Sequence, residues 1–154
     1  MNFINNIWEI YENIEIIGSG SFDNVYKAKN KQTNEYVAIK EIKKIKINSE
    51  RIKKEFEIMK QIKSENIVNL KEIFETKESY WIILELCYLN LEDYMKKRIE
   101  PLSIEEIKEI LLDLNKGLKE INDNKIIHTS IKPSNILLSI NKSKINKTSF
   151  KMIK

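Results

Sequence analysis

Three strand-like runs are crowded between residues 11 and 43, and that spacing constrains the fold more than any other feature. Glu15-Ile16-Ile17, Val25-Tyr26-Lys27-Ala28-Lys29 and Tyr36-Val37-Ala38-Ile39-Lys40 carry the β-branched and aromatic residues that suit a pleated surface. Gly18-Ser19-Gly20-Ser21 separates the first pair and Lys31-Gln32-Thr33-Asn34 the second. Breaks this short close hairpins, whereas a parallel crossover needs about a dozen residues or more. The sheet is therefore expected to be antiparallel.

The period then changes. Ile52, Phe56, Met59 and Ile62 share one helical face over residues 50–63. Ile67–Phe74 and Tyr80–Leu86 read as two further strands, and Leu91–Lys97 as a short helix. Ser103 with Glu106 makes a capping box, flanked by Leu102 and Ile107 at the staple positions. Ile107, Ile110, Leu111, Leu114, Leu118 and Ile121 continue it as a long apolar stripe. Strands and helices in this order give an α+β fold.

Composition narrows the function classes. At 154 residues the chain suits one domain. One Cys, Cys87, leaves no internal disulfide framework, and with a single His a Cys/His metal cluster is excluded. No apolar run reaches membrane-spanning length and the start does not resemble a signal peptide, so a cytoplasmic protein is expected, with no membrane partner. The net charge of +4 is spread along the chain, and the basic stretch Lys142–Lys154 reads as a solvated hairpin loop, so no nucleic-acid partner is expected. Ile (29), Lys (25) and Asn (17) dominate while Arg occurs twice, the signature of A/T-rich codons, so lysine runs carry little functional weight.

Some residues can carry chemistry. Glycines at 18 and 20 let backbone N–H groups approach a phosphate. A strand follows the loop, where a dinucleotide-binding fold would place a helix. On a strand, Ala38 and Lys40 share a face: a small residue that leaves room for a flat ring, and a cation that can reach phosphates. Either Glu55 or Glu57 of the next helix could pair with Lys40. From His128 to Asn135, two apolar runs bracket a polar turn. Asn135 can ligate a hard cation and Lys132 can neutralise a phosphoryl group.

Together and in this order, these segments resemble a eukaryotic protein kinase domain of the serine/threonine type, from about Tyr11 to Lys154. The resemblance implies a kinase-like fold: a five-stranded antiparallel N-lobe sheet with one main helix, then the first helices of an incomplete C-lobe. Residues 1–10 would be a lead-in, 11–86 the N-lobe, and 87–154 the hinge and the start of the C-lobe. It implies ATP contacts from Ile17, Gly18, Ser19, Gly20, Ser21, Phe22, Asp23, Asn24 and Val25, from Ala38 and Lys40, and from gatekeeper Leu84. The Glu85 and Cys87 backbones would bond adenine, with Asn90 near the ribose. The alignment selects Glu55 as the partner of Lys40. His128 to Asn135 matches the catalytic loop, with Lys132 and Asn135 as its phosphate and Mg²⁺ residues, and Lys132-Pro133-Ser134-Asn135 is the serine/threonine style.

Departures bear on mechanism. Ser130 stands where the family has its catalytic Asp, and a neutral hydroxyl cannot act as that base. Thr129 replaces the arginine that pairs with a phosphorylated activation loop, and Asp23 replaces a third loop glycine. The sequence ends at Phe150-Lys151-Met152-Ile153-Lys154, a strand that would enter Asp-Phe-Gly, which leaves Asn135 as the one weak Mg²⁺ ligand. The stripe on Ile107–Ile121 would normally pack on the missing helical lobe. Three outcomes are expected to compete: an ATP-binding, catalytically impaired family member (a pseudokinase or fragment); a scaffold module that binds protein and no nucleotide; and an active kinase completed by downstream sequence.

Overall fold

The structure is a computed structural model of the chain. It describes residues 1–19, 23–45, 49–126, 128, 130–141 and 147–152, with the side chains of residues 23, 51, 55, 140, 141 and 147–149 outside that description. The chain divides into two compact units, Met1–Gln61 with Asn69–Leu86, and Ile62–Val68 with Cys87–Lys154.

The first unit contains β1 (Asn2–Phe3), β2 (Tyr11–Ser19), β3 (Asp23–Asn30), β4 (Tyr36–Lys43), α1 (Ser49–Gln61), β5 (Leu70–Glu75) and β6 (Ser79–Glu85). Its sheet runs β1-β5-β6-β4-β3-β2. Five strands pair antiparallel: short breaks close β2–β3, β3–β4 and β5–β6, and β4 pairs β6 across α1 and β5. The sheet nevertheless has six strands, because β1 adds parallel to β5 with Asn2 opposite Phe74 and Phe3 opposite Glu75. The expected count of five is corrected on that point. The β3–β4 turn is built by asparagines. The Asn30 side chain accepts from the N–H groups of Gln32 (2.9 Å) and Thr33 (3.0 Å), and Asn34 takes a left-handed φ of 58°.

Strand alternation gives the sheet two different faces. Val37 and Ile39 of β4 cluster with Ile7, Tyr11, Ala28, Phe74, Trp81 and Ile83, all buried. Ala38 and Lys40 lie on the opposite face. On β6 the ring of Tyr80 meets Phe56 of α1 edge-on, 5.7 Å between centroids. Phe56 is the buried member of the apolar face expected on α1, with Ile52, Met59 and Ile62 half-buried.

The strand expected from Ile67 starts only at Leu70. Ile67 and Val68 are diverted within the second unit. Ile67 bridges Met152, and the Val68 N–H donates to the Met152 carbonyl at 2.9 Å. That unit holds β7 (Leu89–Asn90), α2 (Leu91–Lys96), α3 (Ile104–Asp123), a 3₁₀ turn at Pro133–Asn135, β8 (Ile136–Asn141) and β9 (Lys147–Met152). Strands β7, β8 and β9 form a sheet that sequence periodicity did not reveal. Leu91, Ile110, Ile136, Leu138 and Phe150 fill one core cluster, and Ile121, Ile126 and Met152 another.

Helix α3 starts with both halves of its capping box. The Glu106 N–H donates to Ser103 Oγ at 3.1 Å, and the Ser103 N–H to Glu106 Oε2 at 2.8 Å. Arg98 adds a bidentate clamp on the same carboxylate, at 2.7 and 3.0 Å. The apolar stripe is only partly covered: Ile110 and Ile121 are buried and Leu114 and Leu118 half-buried, while Ile107 and Leu111 are 42% and 60% exposed.

The turn after α1 is tied to α3 and β9 by a tight knot. Asn66 is buried, its Nδ2 donates to the Phe150 carbonyl (3.2 Å) and its carbonyl accepts from the Met152 N–H (3.1 Å). Gly117 faces this knot. A Cβ there would lie 2.8 Å from the Asn66 carbonyl oxygen and 2.6 Å from Met152 Cε. The methionine end can swing away, but the peptide oxygen is held by its own hydrogen bond. Two effects therefore oppose each other in Gly117→Ala: helix propensity favours Ala by about 1 kcal/mol, and overpacking costs about 1–3 kcal/mol. Steric cost is expected to win, so urea denaturation should show Gly117→Ala as the less stable protein. A gain in stability would refute the close approach.

Glu106 gives a pH signature. The Ser103 N–H, then Tyr94 and Arg98, hold its carboxyl below the ordinary carboxylate range against a partial desolvation. A carboxyl lowered in the folded state stabilises above its unfolded value, and that contribution disappears as pH falls through the folded one. Wild type should therefore lose more melting temperature than Glu106→Gln on going from neutral pH to below the carboxylate range.

Candidate functional site

In the first unit Gly18, Val25, Ala38, Lys40 and Leu84 of the expected nucleotide contacts fall on one sheet face in two adjacent rows, whereas Ser19 and Asn24 pair on the other face. Gly18 of β2 pairs with Val25 of β3, Val25 with Lys40 of β4, and Lys40 with Ile82 of β6. One row over, Lys27 pairs with Ala38 and Ala38 with Leu84. Directly paired residues on neighbouring strands point to the same side. The small Ala38, the cation of Lys40, the bulk of Leu84 and the bare backbone of Gly18 thus share a surface. Val37 and Ile39 lock the register, because a slip of one residue would turn them out of the core.

The loop neck is pinned where β2 meets β3. Ser19 Oγ donates to Asn24 Oδ1 at 3.1 Å, and Ser19 pairs with Asn24. A register irregularity between Ile16 and Gly18 leaves the half-exposed Ile17 between them. At the end of β6, Glu85 is fixed twice by Asn69. Its N–H donates to the Asn69 carbonyl (3.0 Å), and its Oε1 accepts from the Asn69 N–H (2.8 Å). Asn69 was not singled out in the sequence, since nothing local marks a partner sixteen positions away.

In the second unit Cys87 is half-buried, and the Tyr88 N–H donates to the Leu138 carbonyl at 2.8 Å. Asn90 caps α2. Its Oδ1 accepts from the Asp93 N–H (2.7 Å) and its Nδ2 donates to Asp93 Oδ2 (2.8 Å). Each end of this amide makes one bond, which leaves a second lone pair on Oδ1 and a second N–H on Nδ2.

His128 and the residues from Ser130 to Asn135 are joined by polar contacts. The Ser130 N–H donates to His128 Nδ1 at 3.3 Å. Asn135 Nδ2 donates to the Ser130 carbonyl at 2.9 Å and lies 3.1 Å from Ser130 Oγ. Pro133 starts the 3₁₀ turn with its φ already set, and the Asn135 N–H closes on the Lys132 carbonyl at 2.9 Å. Lys132 and Ser130 are exposed. Since a carbonyl only accepts, the bond to the Ser130 carbonyl fixes the amide nitrogen inward, leaving Oδ1 as the group Asn135 can offer a cation.

Gly20, Ser21, Phe22, Thr129 and residues 142–146, 153 and 154 lie outside the described residues, as do the side chains of Asp23 and Glu55. The expected pairing of Lys40 with Glu55 is therefore outside the description. Among the described residues no group of three His, Cys, Asp or Glu side chains converges on a point where a metal could sit. Among the same residues, no helix is long and apolar enough to cross a membrane.

The sequence model of the protein kinase domain matches residues 11–153. The chain belongs to the protein kinase family. It is similar to the serine/threonine-protein kinase cst-1 of Caenorhabditis briggsae, 36% identical over 132 residues, covering 85% of this chain and 26% of that protein. It is also similar to serine/threonine-protein kinase pakG of Dictyostelium discoideum, 40% identical over 125 residues, covering 80% of this chain and 10% of that protein. Cyclin-dependent kinase-like 1 of Caenorhabditis elegans is 34% identical over 140 residues, covering 85% of this chain and 38% of that protein. The chain spans about a quarter of the length of cst-1, 26%.

Gly18 separates fold from ligand. Its φ is not positive, and an added Cβ would meet Val25 Cβ at 3.5 Å and Cγ2 at 3.7 Å, ordinary contacts. The fold itself does not require glycine here. Gly18→Ala should therefore keep or slightly raise stability, by up to about 1 kcal/mol in urea denaturation. Marked destabilisation would show that the backbone needs the glycine for its own geometry.

Proposed function

We propose that this chain binds ATP and transfers its terminal phosphate poorly or not at all, as a serine/threonine-type protein kinase domain with impaired chemistry. The observation that carries ATP binding is the register that puts Gly18, Val25 and Lys40 in one row and Ala38 and Leu84 in the next. In that arrangement Ala38 and Leu84 flank the adenine, the Glu85 and Cys87 backbones bond its edge, and Lys40 meets the phosphates. Glu55 is the proposed partner of the Lys40 ammonium. Lys132 supplies positive charge to a transferring phosphoryl group.

Impairment rests on Ser130. A hydroxyl cannot take the substrate proton as a carboxylate does, and the loss of a positioned base costs about 10²–10⁴-fold in rate. Mg²⁺, when bound, neutralises phosphate charge. Asn135 Oδ1 is one neutral donor, and a hard cation held by protein usually has one or two carboxylates as well as phosphates. The donor set fits Mg²⁺ weakly.

A second reading is a scaffold module that binds protein without nucleotide. Asp23 in the loop, with Thr129 and Ser130 in place of the family's Arg and Asp, favours it. A third, an active kinase completed by further sequence, is distinguished by the assay below.

Millimolar ATP should raise the melting temperature of the wild type through binding linkage. Lys40→Ala and Gly18→Ala should lose the shift while remaining folded. An unchanged wild-type melting temperature would remove the nucleotide reading in favour of the scaffold. Radiolabel transfer from ATP to a general protein substrate should not exceed that of Lys40→Ala. A signal clearly above that control would overturn the impairment.

A further inference from the structure

Residues 1–10 lie outside the residues that match the family, yet they are woven into the first unit. Ile7 is 1% exposed and sits in one cluster with Val37, Ile39, Trp81 and Ile83, while Ile4, Trp8 and Ile10 pack on that cluster. The Trp8 ring stands edge-on to both Tyr26 and Trp81, 5.3 Å between centroids in each case. Polar ties fix the backbone around it. Asn6 Oδ1 accepts from the Trp8 N–H (3.0 Å), and Lys31 Nζ donates to the Trp8 carbonyl (2.8 Å). The Lys31 N–H donates to the Ile10 carbonyl (3.0 Å), the Ile4 N–H to the Glu75 carbonyl (2.9 Å), and Asn2 Nδ2 to Glu72 Oε1 (3.0 Å).

An antiparallel sheet can leave one face to solvent when that face is polar. This face is not: Tyr26, Ala28, Val37, Ile39, Phe74, Trp81 and Ile83 line it. Ile39, wholly buried, lies between Ala38 and Lys40 in β4 and points the other way. Whatever holds Ile39 thereby holds the backbone of the lysine strand.

We propose that Met1–Ile10 is a strap that completes the sheet of this chain and fixes β4, with Trp8 a positioning residue for Ala38 and Lys40. The link to nucleotide rests on the functional reading above; the strap itself does not.

The test is hydrogen exchange followed by mass spectrometry on the full chain, wild type against Trp8→Ala and Trp8→Phe. In Trp8→Ala, peptides over 36–43 and 79–85 should exchange about ten-fold faster or more, the scale of losing two aromatic contacts, while 104–123 keeps its rate. Trp8→Phe should lie between, because a smaller ring restores part of the contact. Unchanged exchange at 36–43 in a folded Trp8→Ala protein overturns the strap, as does an equal acceleration at 104–123. If Trp8→Ala does not fold, Trp8→Phe is judged by the same criteria. The second readout is the ATP-induced melting shift, which should shrink in Trp8→Ala by more than in Gly117→Ala, a variant expected to be destabilised in the second unit. Faster exchange at 36–43 with an undiminished shift overturns the positioning role. A wild type with no shift removes the nucleotide reading and leaves the strap to the exchange data.

Discussion

The alternation of β4 is the constraint on which the rest depends. Val37 and Ile39 have one stable destination, the buried cluster with Ala28, Trp81 and Ile83. Ala38 and Lys40 are then forced to the other face. Each fully buried aliphatic side chain contributes about 1.5–3 kcal/mol, and a slip of one residue would forfeit both at once. No single polar contact of the proposed site has that leverage. The row of Gly18, Val25 and Lys40 is therefore a by-product of hydrophobic burial on the side away from it.

Legibility in the sequence followed the range of the interactions. The hairpins, α1 and the start of α3 depend on neighbours a few residues apart, and their residues announce them: Asn30 and Asn34 at the turn, Ser103 and Glu106 at the cap. The tail was legible only in part: Phe150 onward reads as a strand, but the basic stretch Lys142–Lys154 as a solvated loop, whereas Lys147–Met152 pairs with β8 and buries Phe150 and Met152. What failed to show depends on distant partners. Residues 1–10 have neither period, since β1 is two residues long and the 3₁₀ turn three, so they read as a lead-in. Ile67 and Val68 look like the start of a strand by composition, and only the distant Met152 redirects them. Asn90 was expected near a ribose. Its engagement as an N-cap needed only Asp93 three positions on, a signal present in the sequence and outweighed by the family resemblance.

The departures in the proposed catalytic stretch differ in kind from damage. A decayed loop would be expected to lose its internal bonds, yet the turn from Ser130 to Asn135 keeps them. Pro133 presets the 3₁₀ turn, the Asn135 N–H closes it, and the Asn135 amide reaches back to Ser130. The bond to the Ser130 carbonyl needs no particular side chain at position 130. That bond sets the orientation of Asn135, so the turn survives a change of residue there. A carboxylate at the same position would accept from the same amide nitrogen that now lies 3.1 Å from the hydroxyl. Scaffold and chemistry are thus separable in this loop. The proposed impairment lies in one functional group whose replacement leaves the hydrogen-bonded frame standing, so on that proposal a change at residue 130 should touch phosphate transfer and spare the fold.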